Sequence, residues 1–435
     1  MKRGFYTIMA AQFFSSLADN ALFVTAVELL KTDGAPEWQR AALVPMFALF
    51  YVVLAPFVGA FADARPKGQV MFISNTIKVV GCLMMLFGSH PLIAYAVVGL
   101  GAAAYSPAKY GILTELLPAS QLVKANGWIE GLTIGSIILG VLLGGQLVGH
   151  AVSVHLLALD IPFIDSGIDT APEAAIFILV FVYGLAAWFN TRIPLTGAAL
   201  VPMRHNPEKS LIWNLWALLP DFWHCNQRLW RDKLGQISLA TTTLFWGVSG
   251  NLRYIVLAWS AAALGYTTTQ ASSLVGVVAI GTAVGAIWAS MRVRLDHATS
   301  VMPLGILMGG LVVCMNFIDQ LWLAVPFLVV LGGIGGYMVV PMNALLQHRG
   351  HNLMGAGRSI AVQNLNEQLC ILGLGGLYTF STGMGMSAFG AITAFGVLVA
   401  YTMWLIQNWH ASNHVHHREE LARLLHVARN DDLHG

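Results

Sequence analysis

Charged residues are scarce in this sequence. Asp, Glu, Lys and Arg make up 10% of its 435 residues, whereas 57% are hydrophobic. Soluble domains carry about 25% charged residues, so the composition excludes an ordinary soluble domain and indicates an integral membrane protein. The formal net charge is only +2, which gives no reason to expect a nucleic-acid partner.

Cysteine is also rare, with four residues and no CxxC spacing. Three of the four lie in apolar runs, so neither a disulfide framework nor a metal site is indicated, and we expect no cofactor. The C-terminal tail, residues 409–435, is rich in histidine. It could bind a metal, although a solvated basic tail explains the same residues.

Long apolar runs are what the sequence has in abundance. A helix needs about 20 apolar residues to cross a bilayer, and twelve runs suit such a helix. They lie at about 5–30, 41–63, 69–89, 91–108, 127–149, 174–191, 235–263, 271–290, 300–318, 321–346, 357–381 and 386–408. The sequence therefore predicts an all-α membrane protein with twelve transmembrane helices.

The basic residues orient these spans, because cytoplasmic loops carry an excess of Lys and Arg. With the N-terminus inside, only Lys31 and Arg40 of the 23 lysines and arginines fall in outer segments. Lys78 and Arg253 fall within spans, and all the others lie on the inner side. Both termini are therefore predicted to be cytoplasmic.

A polar linker at residues 193–234 separates six spans in residues 1–192 from six in residues 235–408, and a tail follows at 409–435. The spacing of Trp and Leu in the linker predicts an amphipathic helix on the inner membrane surface. A disordered linker is the alternative interpretation.

The two sets of six spans resemble each other in sequence. Asn20 in the first span matches Asn251 in the seventh, and Pro107 in the fourth matches Pro341 in the tenth. Parallel six-span halves are typical of the major facilitator architecture, in which substrate binds between the halves near the middle of the membrane. We expect that fold here.

Charges inside the spans point to function. Asp19 lies about 21 Å along the first helix at 1.5 Å per residue, where a charge costs about 2.5–3.5 kcal/mol. Arg253 lies at a similar depth or slightly further out, and we predict that the two neutralise each other when the cavity is empty or closed. Three more charges could line the pathway or balance buried neighbours: Lys78, Glu130 and Glu367.

Two details of these charges bear on the substrate and on the cytoplasmic side. Arg253 beside Asp19 suits a zwitterion or a phosphate, because a guanidinium matches phosphate oxygens in a fork. Glu130 lies close to the cytoplasmic end of its span, where it could snorkel to water or pair with Lys109 or Lys124.

The loop after the second span is a candidate inner gate. Its sequence GAFADARPKG, residues 59–68, resembles the G-x-x-x-D-R-x-G-R loop of major facilitators and supplies Asp63 and Arg65. The resemblance is imperfect, because Gln69 stands where a second basic residue is usual.

Six further blocks resemble one family within that superfamily. They are AQFFSSLADNAL (11–22), VGLGAAAYSPAKYGILTEL (98–116), LVKANG (122–127), LFWG…LR (244–253), VVPMNALLQ-x-RG (339–350) and AVQNLNE (361–367). Together they are similar to the bacterial lysophospholipid transporters, over residues 9 to 376. The YSPAKYGIL block is long and unusual, which makes the resemblance specific.

The resemblance implies a function. Such proteins move lysophospholipids, chiefly lysophosphatidylethanolamine and also lysophosphatidylglycerol, from the outer to the inner leaflet of the bacterial inner membrane. A separate acyl-glycerophosphoethanolamine acyltransferase then restores the second acyl chain. We expect this chain to act as a monomer among membrane lipids, and not as an enzyme.

The resemblance also implies site residues. The family's Asp-Asn pair falls on Asp19 and Asn20, and its span-seven arginine falls on Arg253. An acid of the family is replaced here by His348. An acid at that position could pair with Arg349 or Lys109 to latch the inner gate, whereas histidine would make the latch pH-sensitive or repulsive.

Three other functions compete with this interpretation. The first is a major facilitator for a small zwitterionic or anionic solute or drug. The second is a membrane acyltransferase that uses His155 and Asp160, which fit an H-x4-D spacing by chance or by function. The third is a sensor or scaffold that transports nothing.

Overall fold

The computed structural model describes residues 3–35, 37–149, 168–203, 208–266 and 268–430, and within these ranges the chain forms helices and no strand. The helices are α1 (Arg3–Thr32), α2 (Glu37–Val53), α3 (Ala55–Asp63), α4 (Lys67–Leu86), α5 (Pro91–Leu116), α6 (Ala119–Val148), α7 (Ala171–Thr191), α8 (Leu211–Arg231), α9 (Gly235–Leu264), α10 (Thr268–Arg292), α11 (Pro303–Cys314), α12 (Leu321–Met354), α13 (Ala356–Gly383), α14 (Ala388–His416) and α15 (Arg418–Asn430). Short 3-10 turns at Leu295–Val301 and Met315–Phe317 flank α11. His155 and Asp160 lie outside the described residues.

Each of the twelve predicted spans corresponds to one helix or to a broken run of helices, so the predicted fold class is confirmed. The second span is broken where α2 meets α3 at an angle of 63°. Pro56 stands in the first turn of α3, and proline cannot continue a preceding helix without a clash. The break separates the two helices at Leu54.

Nine helices among the described residues are long and apolar enough to cross a membrane, or ten if the bent α2–α3 pair counts as one span. The two predicted spans outside that set are α9 and α13. These are the helices that carry Arg253 and Glu367. The chain is a multi-pass membrane protein.

The described residues form two compact units. Each unit is built from several stretches that are separate in the sequence. The first contains residues 1–112, 135–222 and 356–361. In it α1 and α4 both pack along α7, and the shared core includes Leu22, Leu30 and Tyr183.

The second unit contains residues 113–134, 223–355 and 362–435. Its densest packing joins α10 to α12 and α11 to α14. A Cβ at Gly285 would overlap the carbonyl of Gly333, and a Cβ at Gly336 would overlap the carbonyl of Thr282. Small residues are therefore required where α10 and α12 cross backbone to backbone. The predicted division into 1–192 and 235–408 stays a prediction.

The linker contains the amphipathic helix that its sequence predicts, α8. Four apolar side chains of α8 are buried: Leu218, Phe222, Cys225 and Leu229. Trp213, Trp216 and Trp223 are 44%, 65% and 56% exposed. One face is therefore packed on the protein and the other carries large aromatic groups outward, so the disordered alternative is wrong for residues 211–231.

The matched asparagines of the sequence repeat adopt the same local geometry. The Nδ2 of Asn20 donates to the carbonyl of Ser16 at 2.8 Å, and the Nδ2 of Asn251 donates to the carbonyl of Gly247 at 2.8 Å. Each asparagine thus binds the carbonyl one turn earlier in its own helix. Pro107 and Pro341 likewise lie inside helices, α5 and α12. These features agree with the predicted repeat.

Candidate functional site

Asp19 on α1 is the centre of a polar site in the first unit. Its Oδ2 lies 2.7 Å from the Nζ of Lys78 on α4, and its Oδ1 accepts a hydrogen bond of 2.7 Å from the hydroxyl of Tyr183 on α7. Both carboxylate oxygens are therefore occupied. A buried carboxylate is stable only when its charge is paired and hydrogen-bonded in this way.

Lys78 is the deeply buried member of the ion pair. Its side chain is 1% exposed, whereas that of Asp19 is 19% exposed. The ammonium also donates to the Oγ of Ser15 at 3.0 Å, and it lies 5.0 Å from the ring centre of Tyr105. A Cβ at Gly101 would come within 2.7 Å of the lysine Cγ, so glycine leaves room for this side chain. The site is thus reached from the side of the aspartate.

Two polar atoms of this cluster have no hydrogen-bond partner among the described residues. They are the Nδ2 of Asn75 and the hydroxyl of Tyr105. Asn75 is fully buried and uses its Oδ1 to accept a bond of 2.7 Å from Ser15. An unpaired buried donor costs about 1–3 kcal/mol, so these two groups are poised to bind a water or a ligand.

The cation that pairs with Asp19 is not the one that sequence reasoning selected. We expected Arg253, and the structure places Lys78 there instead. The side chain of Arg253 lies outside the described part of the chain, so its pairing with Asp19 stays a prediction. Lys78, which could have lined the pathway or balanced a neighbour, directly pairs with the acid.

A second polar cluster lies in the second unit around Glu367 on α13. Its Oε1 accepts a hydrogen bond of 2.7 Å from Gln363, and the same Gln363 amide donates to Asn343 on α12 at 2.9 Å. Glu130 on α6 interacts electrostatically with Glu367. Because Glu130 is only 4% exposed, the expectation that it could snorkel to water is wrong. Two buried acids therefore lie close enough to interact, and one of them is hydrogen-bonded to an amide.

The inner-gate loop caps a helix. The carboxylate of Asp63 accepts hydrogen bonds from the amides of Gly357 at 2.6 Å and Arg358 at 2.9 Å, in the first turn of α13. The residue before α13 is Gly355, which supplies no side-chain cap. Asp63 thus replaces the missing cap, and its charge is favourable at the positive end of the helix.

Basic side chains surround the same carboxylate. Lys67 lies 2.9 Å from Asp63, and the guanidinium of Arg358 lies 3.7 Å from it. Arg358 also binds Asp221 of α8 at 3.1 Å. The loop glycine fits closely too, because a Cβ at Gly59 would come within 2.8 Å of the Ala361 Cβ. The loop therefore docks on α13 through shape as well as charge.

Arg349, another predicted gate residue, pairs with an acid. Its Nε and Nη2 bind the two carboxylate oxygens of Asp232 at 3.1 and 2.6 Å. Arg349 therefore finds its acid in Asp232, and the predicted effect of His348 on the latch stays a prediction. His348 is buried, and its Nε2 lies 3.5 Å from the side-chain amide of Asn352.

Two predicted gate cations lie against aromatic rings. The guanidinium of Arg65 is 5.7 Å from the ring centre of Phe61, and the ammonium of Lys109 is 4.0 Å from that of Tyr110. Sequence reasoning missed the acids Asp221 and Asp232 altogether. The signal available for them was the presence of acids in a linker that also carries several basic residues.

Comparison with known proteins places this geometry in a family. The sequence model of the Major Facilitator Superfamily matches residues 8–372. The match to the human organic anion transporter MFSD10 (TETRAN) covers 93% of this chain and 100% of the transporter, with a TM-score of 0.69 and 13% sequence identity. The match to the transporter FucP in the outward conformation covers 93% of this chain and 98% of FucP, with a TM-score of 0.68 and 12% sequence identity. These solved structures share the fold.

Closer relatives come from bacteria. The lysophospholipid transporter LplT of Yersinia enterocolitica is 39% identical over 387 residues, which is 89% of each chain. That of Escherichia coli is 38% identical over 412 residues, or 94% of this chain and 97% of the relative. The chain therefore belongs to the Major Facilitator Superfamily and, within it, to the LplT family.

Proposed function

We propose that this protein moves lysophosphatidylethanolamine and related lysolipids from the outer to the inner leaflet of a bacterial inner membrane, where a separate acyl-glycerophosphoethanolamine acyltransferase restores the second chain. The similarity to LplT proteins over most of the chain supports the substrate class. The protein then acts as a transporter and not as an enzyme, as a monomer with both termini in the cytoplasm.

The observation that carries the proposal is the ion pair between Lys78 and Asp19, which places a positive and a negative group side by side. The headgroup of lysophosphatidylethanolamine has an ammonium and a phosphate. Asp19, the more exposed member of the pair, suits the ammonium. Lys78 and the two unpartnered donors beside it, Asn75 and Tyr105, suit the phosphate oxygens.

The exchange of partners lowers the barrier to translocation. A free headgroup would have to leave water for hydrocarbon, at a large cost for each charge. In the site, the ligand ammonium takes the place of Lys78 on Asp19 while the released Lys78 binds the phosphate. Each charge keeps a partner throughout, so little uncompensated charge is buried. The single acyl chain stays in lipid.

Glu367, Glu130, Asn20 and Arg253 complete the proposed set of substrate and gating residues. Arg253 provides a guanidinium for the phosphate, and Glu367 provides a second acid for the amine. On the cytoplasmic side, the contacts of Asp63 with the start of α13 form the inner gate, together with the Arg349–Asp232 pair. Release to the inner leaflet requires these contacts to break.

The experiment that tests the function is leaflet-resolved uptake of labelled lysophosphatidylethanolamine into cells that lack their native flippase, with and without ionophores. We expect the wild-type protein to restore uptake and the variant Asp19→Asn not to. Purified protein in proteoliposomes that moves a small zwitterionic or anionic solute but no lysolipid would overturn the proposal. Uptake by Asp19→Asn at the wild-type rate would remove Asp19 from the site.

A further inference from the structure

Two histidines meet near the end of α14, in the second unit. His410 and His414 lie one turn apart on the helix, past residue 408, where the twelfth predicted span ends. Their Nε2 atoms are 3.2 Å apart, at an exposed contact. Residues four apart share one face of a helix. Two of the tail histidines, for which the sequence leaves metal binding open, are therefore held together as a pair.

The separation of the two nitrogens suits a shared metal ion. Imidazole nitrogens bind Zn²⁺ at about 2.0–2.1 Å. Two nitrogens 3.2 Å apart then subtend an angle of about 100–105° at the ion, close to the tetrahedral angle that Zn²⁺ adopts. The two ring planes are inclined at 75°, with their centres 4.6 Å apart. Small rotations of the two side chains are therefore enough to bring both nitrogens onto one ion.

The position of the pair on α14 also favours a cation. The helix ends at His416, so both rings lie within its last two turns. The final carbonyls of a helix have no partner inside the helix, and the helix dipole makes this end negative. The Nδ1 of His410 is buried, which leaves Nε2 as the nitrogen that its ring offers to a ligand. The fold thus presents two imidazole nitrogens at an end of a helix that attracts positive charge.

The neighbouring histidines make other contacts. The Nδ1 of His416 lies 3.0 Å from the carbonyl oxygen of Ser412, in its own helix. The Nδ1 of His417 lies 3.7 Å from the carboxylate of Glu420. In the described part of the chain, no group of three or more His, Cys, Asp or Glu side chains is arranged to hold a metal. An ion on the pair would therefore complete its coordination with water.

We propose that His410 and His414 bind one hydrated divalent transition-metal ion, of the class Zn²⁺, Ni²⁺ or Cu²⁺. Imidazole suits these ions, whereas Mg²⁺ and Ca²⁺ prefer oxygen ligands. The bound ion bridges two residues of the last turns of α14 and so holds them in place before α15 begins at Arg418. A hydrogen bond between two neutral rings, without metal, is the alternative. The site goes beyond the proposed transport function, because it stands whether or not the protein moves lysolipids.

The test uses the full-length protein in maltoside detergent, with its affinity tag cleaved off and adventitious metal removed by a chelator. Zn²⁺ and Cu²⁺ are each titrated in competition with a chromogenic chelator, in the presence of excess Mg²⁺. We expect one ion per chain, with Cu²⁺ bound more tightly than Zn²⁺. The electron paramagnetic resonance spectrum of the Cu²⁺ form should show coupling to two imidazole nitrogens. Displacement of Zn²⁺ by Mg²⁺ would overturn the proposal.

The decisive variant keeps the number of histidines and moves one of them. In the double variant His414→Gln with Val415→His, the second ring lies five residues after His410, about 140° around the helix. Val415 is 76% exposed, so the change does not disturb packing. Metal affinity should fall about a hundredfold, because the two ligands no longer act together. His416→Gln removes a histidine outside the pair and should bind as the wild type does.

Hydrogen exchange reports the effect on the helix. With Zn²⁺, the amides of residues 410–416 should exchange more slowly in the wild type, and at an unchanged rate in the double variant. Equal metal affinity of the double variant and the wild type, or no binding of either metal, would overturn the proposal and leave only the hydrogen bond. Asp19→Asn should bind metal normally while it fails to transport. Loss of metal binding there would place the ion at the transport site and equally overturn the proposal.

Discussion

The ammonium of Lys78 lies 2.7 Å from the carboxylate of Asp19, although only the aspartate is partly exposed. This asymmetry separates two roles. Lys78 is almost fully buried, whereas Asp19 is exposed enough to meet a ligand ammonium in the proposed exchange. The pair therefore stabilises the empty protein, and we propose that the same two side chains recognise the substrate.

The first prediction separates stability from transport at this pair. Asp19→Asn should lower the free energy of unfolding by about 3–5 kcal/mol, because it leaves Lys78 buried without a counter-charge. The double variant Asp19→Asn with Lys78→Met should recover much of that loss, because neither charge remains. Thermal unfolding in one detergent measures the stabilities.

Transport should not follow stability in these two variants. Both lack the carboxylate, so both should be defective in flipping lysophosphatidylethanolamine in proteoliposomes. If the double variant recovered transport along with stability, Asp19 would be a structural residue only.

The second prediction compares two tyrosines of the same cluster. Tyr105→Phe removes a hydroxyl that has no partner in the described part of the chain, so stability should be unchanged or slightly higher. Lysolipid flipping should fall about tenfold or more, because a hydrogen bond to the phosphate is lost. Flipping assays and thermal unfolding of the same preparation provide both values.

Tyr183→Phe is the matched control. Its hydroxyl donates to Asp19, and hydrogen bonds to charged groups contribute about 1.5–3 kcal/mol, so this variant should lose stability. Identical behaviour of the two variants would contradict the assignment of Tyr105 to the ligand.

The third prediction concerns Arg253. Arg253→Ala should strongly reduce flipping of lysophosphatidylethanolamine, because it removes the guanidinium assigned to the phosphate, and Arg253→Lys should restore only part of it, since an ammonium binds phosphate as a point charge. Arg292→Ala serves as the control, because Arg292 is an exposed arginine at the end of α10 and belongs to neither the proposed site nor the gate. Normal transport by Arg253→Ala would show that the phosphate is bound elsewhere.

The fourth prediction tests the cap that the gate loop provides. Asp63→Asn keeps the shape of the side chain but removes the charge at the start of α13, so the amides of residues 356–361 should exchange hydrogen for deuterium faster. Stability should fall by about 3 kcal/mol, because the buried Lys67 loses its partner. Asp33→Asn, at an exposed acid outside the gate, should change neither quantity. Unchanged exchange in Asp63→Asn would exclude the capping role.

The sequence predicts the helices well because lipid imposes a simple requirement. Every backbone group in the bilayer must be satisfied within the protein, so each apolar run of sufficient length becomes a helix. The amphipathic α8 follows from the spacing of Trp and Leu, and the match of Asn20 with Asn251 follows from the similarity of the first and seventh spans. For the same reason, the depth of Asp19 could be counted along its helix.

The partners of the charges could not be predicted in that way. Depth gives the level of Lys78 or Arg253 in the membrane, but not the direction in which each side chain points around its helix. That direction depends on how α1, α4 and α7 pack. The cap by Asp63 and the pairing of Arg349 with Asp232 join segments that are far apart in the chain, and residue spacing carries no information about such contacts.

We propose that the linker helix α8 ties the inner gate to the surface of the bilayer. Outward tryptophans occupy one face of α8, Asp221 on the same helix holds Arg358, and Asp232, just past its end, holds Arg349. Tighter lateral packing of inner-leaflet lipids would therefore shift this helix and strain both ion pairs at once. Turnover should then vary with the lateral pressure of the leaflet, and flipping rates in nanodiscs of graded lipid composition would reveal it. A Trp216→Ser variant that stays equally sensitive would exclude that dependence.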